Sequence, residues 1–138
     1  FTNYSSNKGQ EIANNANVSL LFFWAELERQ VRIGGIAKKI SREDSEQYFH
    51  SRPRGSQIGA HVSPQSKVIA SRDVLEQLQL ELERKFEGIE IPLPSNWGGY
   101  RVEPNVIEFW QGRSNRLHDR IRFSLRNGQE WNIERLAP

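Results

Sequence analysis

The chain has no cysteine, which excludes a disulfide framework and any thiolate metal site. Its three histidines, His50, His61 and His118, show neither HxxxH nor HxH spacing, so no metal centre is expected. Long apolar runs are also missing. The longest, Val18 to Trp24, is interrupted by Ser19 and falls far short of the ~20 residues of a membrane-spanning helix. Charge of one sign is scarce: 19 Lys and Arg stand against 17 Asp and Glu, a net of +2. No global positive field therefore recruits nucleic acid, and the basicity is local. There is no internal repeat, no low-complexity segment and no initiator methionine; the chain opens on Phe1-Thr2-Asn3, which reads as the tail of a strand.

What is present suits one domain spanning residues 1–138. Four Trp, three Tyr and seven Phe supply a core, and 26% charged residues with a mean hydropathy of -0.71 indicate a water-exposed surface. Ser5 to Asn14 reads as a short helix. Asn17 to Trp24, rich in β-branched and aromatic residues, reads as a buried strand. It forms a hairpin through Ala25-Glu26 with a second strand over Leu27 to Ile40, where Gly34-Gly35 predicts a bulge or bend. Ser41-Arg-Glu-Asp44 carries a capping-box pattern and opens a helix that Pro53 ends near Ser51. Gly55 to Val62 is a further helical turn, and Ser63 to Ser66 a loop. Val74, Leu75, Leu78, Leu82 and Phe86 form one apolar stripe on the longest helix, capped by Ser71 or Asp73. Ile91 to Asn96 reads as a proline-punctuated linker. Strands follow at Tyr100–Val102, Val106–Gln111, Leu117–Leu125 and Glu130–Leu136, with Asn127-Gly128 as a hairpin turn. Strands at both ends with helices between them predict an α+β protein built on an antiparallel sheet or barrel.

The chemistry concentrates in EFWQGRSNRLHDR, Glu108 to Arg120. Arg116, His118 and Arg120 alternate, so an extended strand would project all three from one face. Guanidiniums stay charged at any working pH, and imidazole exchanges a proton near neutrality. With Trp110 nearby, such a face suits a flat, electron-rich, anionic ligand. A second group comprises Tyr48 and Arg52, four residues apart and so stacked on one helix face, with Ser56 just past Pro53. Together they form a plausible phosphate clamp.

These segments, with WGGYRV (Trp97 to Val102), YFHSRPRGSQIGA (Tyr48 to Ala60) and ERLAP (Glu134 to Pro138), resemble the pyridoxine/pyridoxamine 5′-phosphate oxidase family from Phe1 to Pro138 in one register. The resemblance implies a split β-barrel with peripheral helices, binding FMN between the subunits of a homodimer in the cytoplasm. The present sequence then corresponds to the C-terminal part of a longer protein. The implied reaction moves hydride from C4′ of pyridoxine or pyridoxamine 5′-phosphate to flavin N5. Dioxygen reoxidises the flavin, giving pyridoxal 5′-phosphate and hydrogen peroxide.

Carried over position by position, FMN contacts fall on Phe1, Thr2, Lys8, Gln30, Gln65, Ser66, Trp110 and Arg120. Tyr48, Arg52 and Ser56 hold the substrate phosphate, while Arg116 and His118 lie over its pyridine ring as the catalytic pair. Asn7 departs from the family's usual arginine, which removes one cation from the expected cradle. A non-catalytic flavin- or pyridoxal-phosphate-binding split barrel is the alternative. A nucleic-acid module using Arg113, Arg116, Arg120, Arg122 and Arg126 ranks below both, because Glu108 and Asp119 interrupt the patch.

Overall fold

The computed structural model describes residues 1–138. Two units emerge, one from Phe1–Asn14 and Lys39–Arg101, the other from Asn15–Lys38 and Val102–Pro138.

The first unit holds β1 (Thr2–Asn3), α1 (Asn7–Asn14), α2 (Arg42–Ser51), α3 (Arg54–Val62), α4 (Arg72–Lys85) and β4 (Trp97–Gly98). β1 and β4 pair antiparallel, Thr2 opposite Gly98 and Asn3 opposite Trp97. Its core is Phe49, Ile58, Val62, Phe86, Ile91, Leu93 and Trp97, flanked by Leu75, Leu78 and Leu82 of α4. Fully buried aliphatic and aromatic side chains of this kind contribute about 1.5–3 kcal/mol each. α2 starts as predicted: Ser41 caps it, its hydroxyl accepting from the Asp44 N–H at 2.9 Å. Ser71 occupies the N-cap of α4, where its hydroxyl donates to the Asp73 carboxylate at 3.4 Å. Val74 departs from the predicted stripe and is exposed.

The expected linker around Ile91 is irregular in backbone yet forms part of the core, with Ile91 and Leu93 buried. A buried loop must satisfy its carbonyls, and side chains of α2 and α3 do so. Arg42 donates to Leu93 O at 2.8 Å and to Pro94 O at 3.3 Å. His50 bonds Ile91 O at 3.1 Å and His61 bonds Pro92 O at 2.7 Å. Arg54 donates to Ile89 O at 3.0 Å and also to Phe86 O.

The second unit is a five-stranded antiparallel sheet in the order β2 (Asn17–Trp24), β3 (Arg29–Lys39), β5 (Tyr100–Gln111), β6 (Asp119–Arg126), β7 (Glu130–Leu136). β2 forms where predicted, but it is not buried: it is the outermost strand, and Phe23 keeps 60% of its surface exposed. Gly34-Gly35 makes no bulge against β2, since β2 and β3 stay in unbroken register from Asn17–Ile36 to Trp24–Arg29. The glycine answers close approach instead: a Cβ on Gly35 would sit 2.2 Å from Glu103 O. β5 is one strand where two were expected. Pro104 is tolerated inside it because pairing with β6 begins only at Val106. Asn127 and Gly128 both take positive φ, 51° and 71°, and Gln129 N–H bonds Arg126 O at 3.1 Å.

Alternation makes this sheet amphipathic. Ile107, Phe109, Ile121, Phe123 and Ile133 share one face, as cross-strand pairing requires. Glu108, Trp110, Arg120, Arg122 and Glu134 share the other.

Candidate functional site

In the first unit, Tyr48 leaves the last turn of α2, and Arg52 is the C-cap residue, extended at φ -78°, ψ 151°. Pro53 forces that conformation, so the predicted stacking of Tyr48 and Arg52 on one helix does not occur. The two meet on Trp97 instead. Tyr48 lies parallel to Trp97 with centroids 6.3 Å apart, and the Arg52 guanidinium sits 4.9 Å from the Trp97 centroid. Phe1 stacks on Tyr48 at 3.7 Å.

Arg52 Nη1 is buried with no hydrogen-bond partner. The residue lines a cavity of about 260 Å³ with Ser56, Asn3, Gln65 and Trp97. An unsatisfied buried guanidinium N–H costs free energy, and a bound oxyanion would supply the missing acceptor. Ser56 lies in the first turn of α3, whose N-terminal amides favour negative charge.

Thr2 is buried, its hydroxyl donating to Gln65 Oε1 at 3.3 Å; the Asn3 N–H donates to the same oxygen at 3.0 Å. The Gln65 carbonyl is thus committed to β1, and its amide N–H₂ is the outward end. Ser66 follows with φ 70°. Lys8 is exposed in the first turn of α1.

In the second unit, Gln30 and Arg32 share by alternation one face of β3, and the Arg32–Glu108 ion pair at 2.8 Å makes it the face of Trp110 and Arg120. Gln30, distant in sequence, is brought to the same side of one sheet as Trp110 and Arg120. His118 stacks obliquely on Trp110, centroids 4.8 Å apart. Its Nδ1 accepts the Arg113 N–H at 3.1 Å, so the neutral ring carries its proton on Nε2.

Here the predicted alternation of Arg116, His118 and Arg120 fails. β6 begins only at Asp119; Arg116 ends a 3₁₀ turn over Ser114–Arg116. Asn115 and Arg116 both adopt positive φ, 58° and 62°, a conformation costly for residues other than glycine. Of the three, only Arg120 is a strand residue, while Arg116 projects from an exposed loop. The loop is tied by Asp119, which accepts from Arg113 at 2.8 Å and from Arg135 at 2.6 Å. These two bonds hold its carboxyl below the usual range. Arg122 likewise binds Glu134 at 2.8 Å, lowering the Glu134 carboxyl. The arginines here are largely paired with carboxylates, unlike a phosphate-tracking patch.

Sequence reasoning missed Trp97 as the platform for Arg52. It also missed the Arg32–Glu108–Arg120 triad, which becomes visible only once strand register brings charges from three strands together.

Two antiparallel sheets with four helices define a split-barrel, α+β protein. Solved structures agree. PhzG from Burkholderia lata, determined with tetrahydrophenazine-1-carboxylic acid, matches at TM-score 0.90 and 31% identity, covering 99% of this chain and 66% of its own. A pyridoxamine 5′-phosphate oxidase-related, FMN binding protein from Nostoc punctiforme shares the fold at TM-score 0.74 and 15% identity, over 99% of this chain and 71% of that one.

The family model for pyridoxamine 5′-phosphate oxidase matches residues 1–82, and that for the pyridoxine 5′-phosphate oxidase C-terminal dimerisation region matches 97–138. The chain belongs to the pyridoxamine 5′-phosphate oxidase family. Curated relatives called pyridoxine/pyridoxamine 5′-phosphate oxidase include those of Trichormus variabilis, 59% identical, and Leptospira biflexa, 56% identical, each over all 138 residues. The chain spans 64% of the first and 65% of the second. No helix is long and apolar enough to cross a membrane.

Proposed function

We propose that this chain serves an FMN-dependent oxidase, acting as a homodimer, that converts pyridoxine or pyridoxamine 5′-phosphate to pyridoxal 5′-phosphate. Dioxygen is the acceptor and leaves as hydrogen peroxide; the amine substrate also takes up water and releases ammonia. The observation that carries this reading is the buried, partnerless Arg52 Nη1 on a cavity of about 260 Å³, a site that fits a phosphate.

FMN, when bound, supplies the hydride acceptor and hands its electrons to dioxygen. The residues present fit the group. With Gln65 fixed by Thr2, Gln65, Ser66 and Lys8 offer donors, and Gln30, Trp110 and Arg120 offer an amide, an aromatic plate and a cation on one sheet face. Tyr48, Arg52 and Ser56 hold the substrate phosphate. Arg116 covers the substrate ring and helps its proton leave, while His118 presents Nε2–H to the pyridine edge.

The phenazine-type carboxylate bound by the Burkholderia lata protein marks a second reading, since a carboxylate could also satisfy Arg52. The test is a flavin absorbance spectrum of the full-length protein under air, with pyridoxine 5′-phosphate, pyridoxamine 5′-phosphate or tetrahydrophenazine-1-carboxylic acid added. Pyridoxal 5′-phosphate and peroxide should form from the phosphates. A yellow protein inert to both phosphates would overturn the reading in favour of a flavin binder, and turnover of the carboxylate alone would reassign the substrate.

A further inference from the structure

Glu108 is the one acidic side chain buried in the sheet unit; its carboxylate keeps only 7% exposure. A lone carboxylate there would be strongly disfavoured, and it is held by two cations from the strands on either side. Oε2 accepts from Arg32 at 2.8 Å; Oε1 accepts from Arg120 Nε at 2.9 Å, with Nη2 2.8 Å away in the same ion pair. Strand register makes this choice of partner informative. The residue directly opposite Glu108 is Arg122, and Arg120 lies on the diagonal, opposite Trp110. The buried carboxylate nonetheless takes Arg120, and Arg122 turns to Glu134. The remaining terminal nitrogen of Arg120 donates to Ala137 O at 3.0 Å. Two of the five guanidinium donors are thereby hydrogen-bonded by the protein itself, on opposite ends of the fork, and the plane of Arg120 is set before any ligand arrives.

We infer that Glu108 is a positioning residue: it orients Arg120 beside Trp110 for the flavin and offsets half the charge of the Arg32–Arg120 pair. The inference rests on the proposed role of Arg120 in holding FMN. Pre-orientation of this kind raises affinity by removing the cost of ordering a long side chain upon binding. Arg32 supports it by satisfying the second carboxylate oxygen, so that Oε1 stays with Arg120.

A double-mutant cycle on the full-length apoprotein tests it, with FMN affinity read from quenching of flavin fluorescence. Glu108→Gln keeps the shape but turns an amide N–H₂ toward one of the two arginines. It should weaken FMN binding about tenfold, within the coupling range of contacting pairs. In an Arg120→Met background the same substitution should change affinity by less than about twofold. An equal loss in both backgrounds would mark Glu108 as merely structural and overturn the inference. If Arg120→Met itself leaves affinity unchanged, the role given to Arg120 falls and the inference with it. If Arg120→Met weakens binding and Glu108→Gln does not, only the inference fails. Should Glu108→Gln not fold, Glu108→Asp serves the same cycle, keeping the charge while shortening its reach.

Discussion

Replacing Arg52 with alanine should separate affinity from stability, because the structure assigns this side chain opposite effects on the two. In the substrate complex Arg52 would make a charge-assisted contact to phosphate, worth about 1.5–3 kcal/mol. At about 1.4 kcal/mol per tenfold, KM should rise about 10–150-fold. The contact exists in ground and transition states alike, so kcat should move little. In the ligand-free protein Arg52 contributes a cation–π contact with Trp97 of about 0.5–1 kcal/mol, but it also carries a buried N–H with no acceptor, a cost of about 1–3 kcal/mol. The apoprotein should therefore hold its stability or gain up to about 2 kcal/mol. Each kcal/mol is about 2–4 °C in Tm for a chain of about 150–250 residues. Arg52→Lys, keeping charge but not the planar fork, should fall between wild type and alanine in KM. Steady-state kinetics on both phosphate substrates and calorimetry of the apoprotein are the assays. A fall in kcat at unchanged KM, or a Tm several degrees lower with KM intact, would refute the reasoning.

Arg116→Leu should lower kcat at least about tenfold while the flavin spectrum shows FMN still bound; activity within a few-fold of wild type would remove Arg116 from the reaction. Asp119 has a folded-state pKa depressed by Arg113 and Arg135. Its stabilising contribution is full above the ordinary carboxylate value and is lost as pH falls through the lower folded value. Urea midpoints followed from neutral to acid pH should converge for wild type and Asp119→Asn, and curves that stay parallel would contradict this. Gly35→Ala places a Cβ against the Glu103 carbonyl, and two paired backbones have little room to yield. A loss of about 1–3 kcal/mol in denaturant unfolding is expected; an unchanged midpoint would show that the strands can separate there.

Local signals carried much of the fold. The Ser41 cap, the stop at Pro53, the stripe of α4 and the Asn127-Gly128 turn each lie within a few residues, where capping chemistry, backbone sterics and periodicity act directly. The same reasoning failed where neighbours in space decide. Asn17–Trp24 looked like a core strand because apolar composition does not reveal whether a strand is central or outermost. Ile91–Asn96 looked like a linker because its prolines were legible, whereas Arg42, His50 and His61, which satisfy its carbonyls, come from α2 and α3. The alternation of Arg116, His118 and Arg120 presumed an extended chain that positive φ at Asn115 and Arg116 interrupts.

By itself the sequence determined the residue types: guanidiniums, an imidazole and aromatic plates at positions shared with one family, all written in the chain. Only the tertiary structure decided which of them work together. Arg52 finds Trp97 because Pro53 turns it off the helix, and Glu108 selects Arg120 over the arginine opposite it. Both outcomes depend on contacts between different elements of the fold, and burial there determines whether a polar group must find a partner.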